Sequence, residues 1–295
     1  MKPINKKDVN PKVFDLYNDY AHSRIDRRQF MEGLSLYAIG GLTVPSLLDY
    51  LMPKYQTTLQ VAVDDPRLKT DMISYESPNG GGTIKAQLSR PKDAKDLLPG
   101  IVIVHENRGL NPHIADVGRR AALAGFITIA PDMLTPLGGY PGTDDEGRTM
   151  QRQRDRNEML EDFKAAFRHL HKSEECNGKI GVVGFCFGGW ISNMMAAQVS
   201  ELSAAVPFYG SQAPLEEVPN INAPILLQFA ENDKRVNAGK EAYEAELTKH
   251  GKVFESHLYP GTNHGFHNDS TPRYDEAAAK LAWQRTIDFF DKHLK

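Results

Sequence analysis

The sequence has little cysteine, no excess of basic residues and no long apolar run, and each shortage excludes a class of protein. Its 295 residues include two cysteines, Cys176 and Cys186, and no Cys/His array with zinc-site spacing. The two cysteines flank a predicted strand, and the length of this strand exceeds the distance that a disulfide bond can span. The chain is therefore not expected to depend on disulfides, which favours a reducing compartment.

Charge and hydropathy exclude two further classes. The formal net charge is −3 and the pI is about 6.4, so the chain has no excess of positive charge that would indicate nucleic-acid binding. Residues 34–51 form an apolar stretch, but it has fewer than the ~18 consecutive apolar residues of a membrane span. With 40% hydrophobic and 25% charged residues, the chain can form one core of roughly 200–250 residues plus a modest extension.

The segment before the first predicted strand has two interpretations. Arg27 and Arg28, followed by an apolar stretch, resemble a twin-arginine export signal, which would place the protein in the periplasm. Glu32 and Asp49 interrupt that stretch, and no small-x-small cleavage site follows it. We favour an uncleaved amphipathic helical hairpin in a cytoplasmic protein, with Asp26 capping the helix. The hairpin would pack on its own domain or across a homodimer.

Strands and helices alternate in the rest of the chain, which predicts an α/β fold with a mostly parallel sheet covered on both sides. We therefore expect an N-terminal helical segment over residues 1–65 and a catalytic domain over 66–295, with a linker at 66–71. The predicted strands cover 72–75, 84–88, 101–106, 126–130, 180–183, 204–210, 224–230 and 254–259. The predicted helices cover 114–124, 152–171, the stretch after 186, 238–249 and 273–293. The Gly- and Pro-rich stretch 134–147 is too long for a tight turn and is a candidate pocket lining.

The most informative motif follows the strand predicted at 180–183. Gly184-Phe185-Cys186-Phe187-Gly188-Gly189 has the form of a nucleophile elbow, with cysteine where serine is commoner. Gly184 and Gly188 would permit close backbone approach at the turn. The N-terminus of the following helix would favour a thiolate on Cys186. The alternative is a glycine-rich turn with an ordinary buried cysteine.

Three further candidates also follow predicted strands, where catalytic groups of open parallel sheets collect. They are Glu106, Asp233 and His264. Individually, each is compatible with a structural role, as a helix cap, a loop acid or a turn histidine. Together with Cys186 they predict a catalytic site, because nucleophile, acid and histidine occur in the order of the α/β-hydrolases.

At these residues the chain resembles the dienelactone hydrolase family, a branch of the α/β-hydrolases, over about residues 70–295. The matching motifs are His105-Glu106-Asn107-Arg108-Gly109, Ala130-Pro131-Asp132, the elbow, Glu231-Asn232-Asp233 and His264-Gly265-Phe266. The resemblance implies that Cys186 is the nucleophile, His264 the base and Asp233 the residue that orients it. It also implies that Glu106 engages the resting thiol. The backbone N–H groups of Asn107 and Phe187 would then form the oxyanion hole.

The chain departs from the family where the substrate carboxylate is held. Dienelactone hydrolases use arginines in two regions where this chain has Thr135-Pro136-Leu137 and Asn268. Arg108 and Arg273 are the candidate replacements. The full set of candidate substrate-binding residues is Arg108, Tyr140, Trp190, Tyr209 and Arg273.

We therefore expect a cysteine-dependent hydrolase of a small ester or lactone, acting through a thioester and without a metal or cofactor. Its partner would be a small-molecule substrate, with a homodimer formed through the N-terminal segment. The alternative is a non-catalytic binding or assembly protein with an α/β-hydrolase-like fold.

Overall fold

The alternating apolar segments form one continuous sheet in the computed structural model, which describes residues 4–295. The strands are β1 (Leu68–Ser77), β2 (Gly82–Pro91), β3 (Leu98–Val104), β4 (Ile127–Pro131), β5 (Cys176–Phe185), β6 (Ala204–Phe208), β7 (Ile225–Ala230) and β8 (Phe254–Tyr259). Their order in the sheet is β1-β2-β4-β3-β5-β6-β7-β8. β1 and β2 form an antiparallel hairpin, β2 pairs antiparallel with β4, and the remaining neighbours are parallel.

Helices cover both faces of the sheet and also form the N-terminal segment. They are α1 (Lys12–Ala21), α2 (Arg27–Ser35), α3 (Val44–Leu51), α4 (Tyr55–Thr58), α5 (Pro112–Leu123), α6 (Asp144–Gln151), α7 (Arg156–His171), α8 (Phe187–Gln198), α9 (Lys234–Asn237), α10 (Lys240–Lys249) and α11 (Glu276–Leu294). Strand β3 shows why two layers are needed, because its side chains alternate between two cores. Ile101 and Ile103 pack in the core that includes α5 and α11, whereas Val102 and Val104 pack in the core that includes α7 and α8. The predicted α/β fold class is confirmed.

The N-terminal segment, residues 4–65, has an apolar cluster of its own. In α1 the buried residues Val13, Phe14, Tyr17, Tyr20 and Ala21 follow the helical period. Phe30 of α2 and Leu47 of α3 are fully buried in the same cluster. Asp26 caps α2 as predicted, since its side chain accepts from the Gln29 N–H at 2.8 Å. Because these contacts lie within the segment, the segment can hold its shape while it docks on the catalytic domain.

The segment packs against the catalytic domain of its own chain. The Tyr20 hydroxyl donates to Asp145 at 2.5 Å, and Arg27 forms an ion pair with the same carboxylate at 3.0 Å. The Asn107 side-chain amide donates to the Ala21 carbonyl at 2.8 Å. This last contact brings the end of α1 to the edge of the sheet where β3 ends.

The predicted element bounds differ from the structure in several places. For example, the strand predicted at 180–183 is longer, and α6 lies partly within the stretch predicted as a loop over 134–147. Residues 68–71, predicted as linker, belong to β1, because the β1–β2 hairpin is longer than its most apolar part and pairs Leu68 with Pro91. The helix predicted over 152–171 begins at Arg156, where Asp155 caps α7. None of the helices in the described part of the chain has the length and apolar character needed to span a bilayer.

Candidate active site

Cys186 lies on the sharp turn between β5 and α8. Its backbone takes φ 59° and ψ −110°, a combination that residues with a side chain rarely adopt. Glycine is needed around it, because a Cβ at Gly184 would lie 1.9 Å from the carbonyl oxygen of Gly188. A Cβ at Gly188 would lie 2.4 Å from the carbonyl oxygen of Val104. The turn presents the Cys186 sulfur to a cavity while the residue stays 7% exposed.

His264 and Asp233 form a buried pair beside this sulfur. The imidazole Nδ1 lies 2.5 Å from Asp233 Oδ2, which leaves Nε2 on the other side of the ring. Asp233 also caps α9 by accepting from the Val236 N–H at 3.3 Å. His264 and Cys186 each place a donor atom within 4.8 Å of the other. The loops after β7 and β8 thus meet the elbow at one edge of the sheet, as parallel topology predicts.

The pKa values of this pair favour an imidazolium and a thiolate. Burial lowers the pKa of His264, but the charges of Asp233 and Cys186 outweigh it and raise that pKa to about 9. Burial raises the pKa of the Cys186 thiol, but the charge of the neighbouring His264 outweighs it and holds that pKa below its ordinary value. The thiolate is the reactive form of a cysteine side chain, so both shifts favour nucleophilic chemistry.

Glu106 is buried behind the sulfur and lies in a polar cluster. Its Oε2 accepts from the Asn268 amide at 3.0 Å and lies 3.7 Å from Arg108 Nε. The negative charge of Glu106 raises the pKa of Cys186, so the two groups interact electrostatically. Arg108 is held on its other side by Asp144, at 2.5 Å.

The two expected oxyanion donors flank the elbow. Phe187 is the first residue of α8, where a backbone N–H has no intrahelical acceptor. Asn107 follows β3, and its side chain is fixed by the bond to Ala21 in the N-terminal segment. The geometry therefore leaves the Phe187 N–H available at the end of the helix dipole that favours negative charge.

His22, at the end of α1, also contacts the Cys186 sulfur, and no sequence motif indicated this contact. Its Nε2 lies 3.4 Å from the Cys186 sulfur, and its ring centroid lies 4.7 Å from that of His264. The Nδ1 of His22 bonds to the Asn18 carbonyl at 2.7 Å. Burial and the charge of His264 lower the pKa of His22 well below its ordinary value. His22 is therefore a neutral imidazole that presents Nε2 to the sulfur.

A cavity of about 370 Å³ opens in front of Cys186. Besides Cys186, its lining includes His22, Phe187 and Trp190. The cationic residues of the lining are five arginines: Arg148, Arg152, Arg154, Arg156 and Arg235. No Asp or Glu of the described residues lines this cavity. An anionic group is therefore the favoured occupant.

The arginines are arranged around Trp190 and the mouth of the cavity. The Arg156 guanidinium stacks on the Trp190 ring at 3.4 Å from its centroid. Arg235 donates to the Ser211 hydroxyl at 3.2 Å. Burial, followed by the charge of Arg235, lowers the pKa of Arg156. The like charges repel each other, and a bound anion would relieve that repulsion.

Of the predicted substrate-binding residues, the structure brings Trp190 to the cavity lining. Tyr140 bonds to Asp144 at 3.1 Å and lines a separate surface pocket, together with other residues of the 134–147 stretch. Tyr209 is buried behind the site, with its ring centroid 5.0 Å from that of His264. Arg273 is buried with its guanidinium over the Tyr17 ring at 4.7 Å.

The fold and the site together define an α/β-hydrolase. The sheet carries a nucleophile elbow after β5 and a carboxylate-bonded histidine after β8, in the chain order of that class. The sequence profile of the dienelactone hydrolase family matches residues 84–294. The chain therefore belongs to the dienelactone hydrolase family and is a hydrolase of the ester and lactone class. A second profile, described as YqhI-like, matches residues 1–40, which lie in the N-terminal segment.

Individual relatives agree with this assignment. An Escherichia coli (strain K12) protein named as the hydrolase fragment YghX is 48% identical over 114 residues, covering 39% of this chain and 97% of that protein. A Synechocystis sp. protein named as a carboxymethylenebutenolidase is 30% identical over 250 residues, covering 77% of this chain and 98% of that protein. A Klebsiella pneumoniae structure described as a dienelactone hydrolase is 26% identical with a TM-score of 0.68, covering 76% of this chain and 99% of that one.

Proposed function

We propose that this protein is a cysteine-dependent hydrolase of a small anionic ester or lactone and acts through a thioester. The observation that carries the proposal is the elbow thiol of Cys186, which faces a cavity beside the buried His264–Asp233 pair. The reaction is acyl transfer to water, and it proceeds with these side chains alone.

In the acylation step the Cys186 thiolate attacks the substrate carbonyl carbon and forms a C–S bond. The negative charge on the carbonyl oxygen is stabilised by the N–H groups of Phe187 and Asn107, and one such donor contributes on the order of 10²–10³ in rate. The tetrahedral intermediate then breaks its C–O bond. The leaving oxygen takes the proton that His264 accepted from the thiol, so an alcohol, or the free hydroxyl of an opened lactone, is produced.

In the deacylation step His264 accepts a proton from water, and the hydroxide formed attacks the thioester. The C–S bond breaks, and the carboxylic acid leaves with the sulfur again as thiolate. Asp233 holds the imidazole in one orientation and stabilises its protonated form in both steps. Glu106 opposes the thiolate through its negative charge, so it limits the extent to which His264 ionises the resting thiol.

The substrate is proposed to carry a negative charge. Of the five arginines that line the cavity, Arg148 and Arg154 form ion pairs with Asp145 and Asp162. Among the described residues, Arg152, Arg156 and Arg235 form no ion pair and are available to an anion. This charge would sit near Arg156 and Arg235. Two esters that differ only in a terminal carboxylate separate this idea from simple esterase activity. They are mono-p-nitrophenyl glutarate and p-nitrophenyl valerate.

The test combines these esters with four variants. Cys186→Ala should abolish hydrolysis of both esters, whereas Cys176→Ala should not. Arg235→Gln should lower kcat/KM for the glutarate ester by about tenfold more, or about 1.4 kcal/mol more, than for the valerate ester. The loss on the valerate ester reports the effect of the Arg235 charge on the Cys186 thiolate. Arg28→Gln removes an 86% exposed arginine outside the cavity and is the matched control. Full activity of Cys186→Ala would overturn the nucleophile, and a wild-type protein that binds glutarate without hydrolysing either ester would be a binding protein.

We further propose that the N-terminal segment is retained in a cytoplasmic protein. His22 and Ser23 line the cavity, and Arg27, part of the export-like arginine pair, is bonded to Asp145 of the catalytic domain. Cleavage after about residue 53 would remove these groups. Mass spectrometry of the protein from its native cells checks this, since a mature N-terminus after residue 53 would indicate export.

The homodimer through the same segment also remains a proposal. Leu36 and Ile39, just after α2, are 73% and 69% exposed and offer apolar surface to a second copy. Sedimentation velocity should show a dimer that Leu36→Glu with Ile39→Glu converts to monomer. A wild-type protein that is monomeric at every concentration would contradict it.

A further inference from the structure

Three donor atoms of two histidines and a cysteine converge where the N-terminal segment meets the catalytic domain. They come from His22 at the end of α1, Cys186 at the elbow and His264 after β8, and they all lie within 4.8 Å of one another. The closest pair is the Cys186 sulfur and His22 Nε2, at 3.4 Å. Two of these residues belong to the proposed hydrolase machinery, but the third is supplied by the segment outside the match to the dienelactone hydrolase profile.

Both imidazoles are held in the orientation that a metal ion requires. Protein ligand histidines commonly bond one ring nitrogen to a carboxylate or backbone carbonyl and offer the other to the metal. His264 bonds Asp233 through Nδ1, and among the described residues its buried Nε2 has no hydrogen-bond partner. His22 bonds the Asn18 carbonyl through Nδ1 and points Nε2 at the sulfur. The two rings therefore present their Nε2 atoms to a common space beside a thiol.

The donor set selects the kind of metal. Two imidazoles and a thiolate suit Zn²⁺ and other borderline or soft ions, whereas Mg²⁺ and Ca²⁺ prefer oxygen ligands. Zinc–nitrogen and zinc–sulfur bonds of about 2.0–2.3 Å require donors about 3.5 Å apart, so the longest separation must shorten by about 1 Å. Small movements of the His22 and His264 side chains would supply that shortening. Three protein ligands leave a fourth position open to the cavity, where the arginines favour an anion such as chloride.

We propose that His22, Cys186 and His264 form a binding site for Zn²⁺ that holds the nucleophile in an inactive state. Binding releases to solvent the one proton that Cys186 and His264 hold between them, and the metal bonds to the thiolate and to the unprotonated Nε2 of His264. The sulfur lone pair and His264 Nε2 are then both occupied, so neither attack nor proton transfer can occur. The bond to His22 also ties the N-terminal segment to the catalytic domain. The inhibitory consequence rests on the proposed cysteine chemistry, whereas the binding itself does not.

Cobalt(II) reports the site directly, because a thiolate ligand gives a near-ultraviolet charge-transfer band and tetrahedral geometry gives intense visible bands. The full chain carrying Cys176→Ala is titrated with Co²⁺ and then with Zn²⁺. We expect one ion per chain, a charge-transfer band, and loss of both features when Zn²⁺ displaces the Co²⁺. Cys186→Ser should remove the band.

His22→Ala distinguishes the proposed site from a cysteine–histidine pair alone. It should weaken Zn²⁺ binding at least about tenfold, in line with the loss typical of disturbing a metal site. His250→Ala removes an exposed histidine at the end of α10 and should bind Zn²⁺ as the wild type does. Absence of the charge-transfer band, or unchanged affinity in His22→Ala, would overturn the proposal.

Ester hydrolysis separates this proposal from the proposed function. Inhibition of p-nitrophenyl ester hydrolysis by Zn²⁺, reversed by a chelator and weakened at least about tenfold by His22→Ala, supports both. A cobalt–thiolate band in a protein that hydrolyses no ester supports the metal site and contradicts the function. Cysteine-dependent hydrolysis with no such band, and with no Zn²⁺ inhibition, supports the function and contradicts the metal site.

Discussion

Replacement of Phe30 by alanine tests whether the N-terminal segment controls access to Cys186. Phe30 is fully buried and stacks on Tyr20 with ring centroids 4.4 Å apart and planes within 3°. Truncation of such a phenylalanine costs about 3–5 kcal/mol, which includes the aromatic pair. Since Phe30 packs within the segment's own cluster, this cost falls on local opening of the segment.

The expected consequence is faster reaction of Cys186 with a bulky reagent. At about 1.4 kcal/mol per factor of ten, the opening equilibrium rises by about 100- to 3,000-fold. The assay is modification by a bulky uncharged maleimide in a Cys176→Ala background, followed by mass spectrometry. We expect at least about a tenfold acceleration, up to the reaction rate of the fully uncovered thiol.

The matched control is Phe290→Ala, which truncates an equally buried phenylalanine in the catalytic core. It should lower the free energy of global unfolding by a similar amount without loosening the segment. If Phe30→Ala makes the segment sensitive to protease but leaves the maleimide rate unchanged, the segment does not cover the thiol. Equal acceleration in Phe290→Ala would show that access depends on global opening instead.

Three further predictions concern the charges around the sulfur. Because the thiolate forms above the thiol pKa, alkylation of Cys186 by iodoacetamide should reach half its maximal rate at a pH below the ordinary thiol value. Burial raises the pKa of Cys176, so the alkylation midpoint of Cys176 should lie above the ordinary thiol pKa. Mass spectrometry separates the two sites. Glu106→Gln removes a charge that raises the pKa of Cys186, so its alkylation midpoint should move to lower pH; an unmoved midpoint would leave Glu106 with a structural role. Asp233→Asn should lower the pKa of His264 and slow acylation by on the order of 10²–10⁴, measured by stopped-flow release of p-nitrophenol, and undiminished acylation would exclude Asp233 from the triad.

The fold and the arrangement of Cys186, Asp233 and His264 were predictable because both follow from local rules. An apolar strand followed by Gly-x-Cys-x-Gly-Gly can place cysteine on a tight turn only if glycines permit the close contacts observed at Gly184 and Gly188. The carboxyl ends of parallel strands meet at one edge of the sheet, so residues after β7 and β8 approach the elbow. Chain order and strand placement were therefore sufficient to bring together residues that are far apart in sequence.

The contribution of His22 was not predictable from the same rules. It lies 164 positions from Cys186, and no motif surrounds it. Its place depends on the docking of α1, which is set by apolar packing and by bonds such as Ala21 to Asn107. The arginines of α6, of α7 and of the turn between them were missed for a related reason. The sequence predicted a loop over 134–147 and a helix over 152–171, whereas the structure has helix α6, a turn and helix α7.

Ion pairing and packing explain why the arginines suggested by the sequence differ from those that line the cavity. Arg273 is 1% exposed, and the ring of Tyr17 from α1 covers its guanidinium. Arg108 is 4% exposed and is held by Asp144. Neither lines the cavity at Cys186, whereas Arg156 and Arg235 do. The negative charge of the substrate is therefore expected near Arg156 and Arg235 rather than near Arg108 or Arg273.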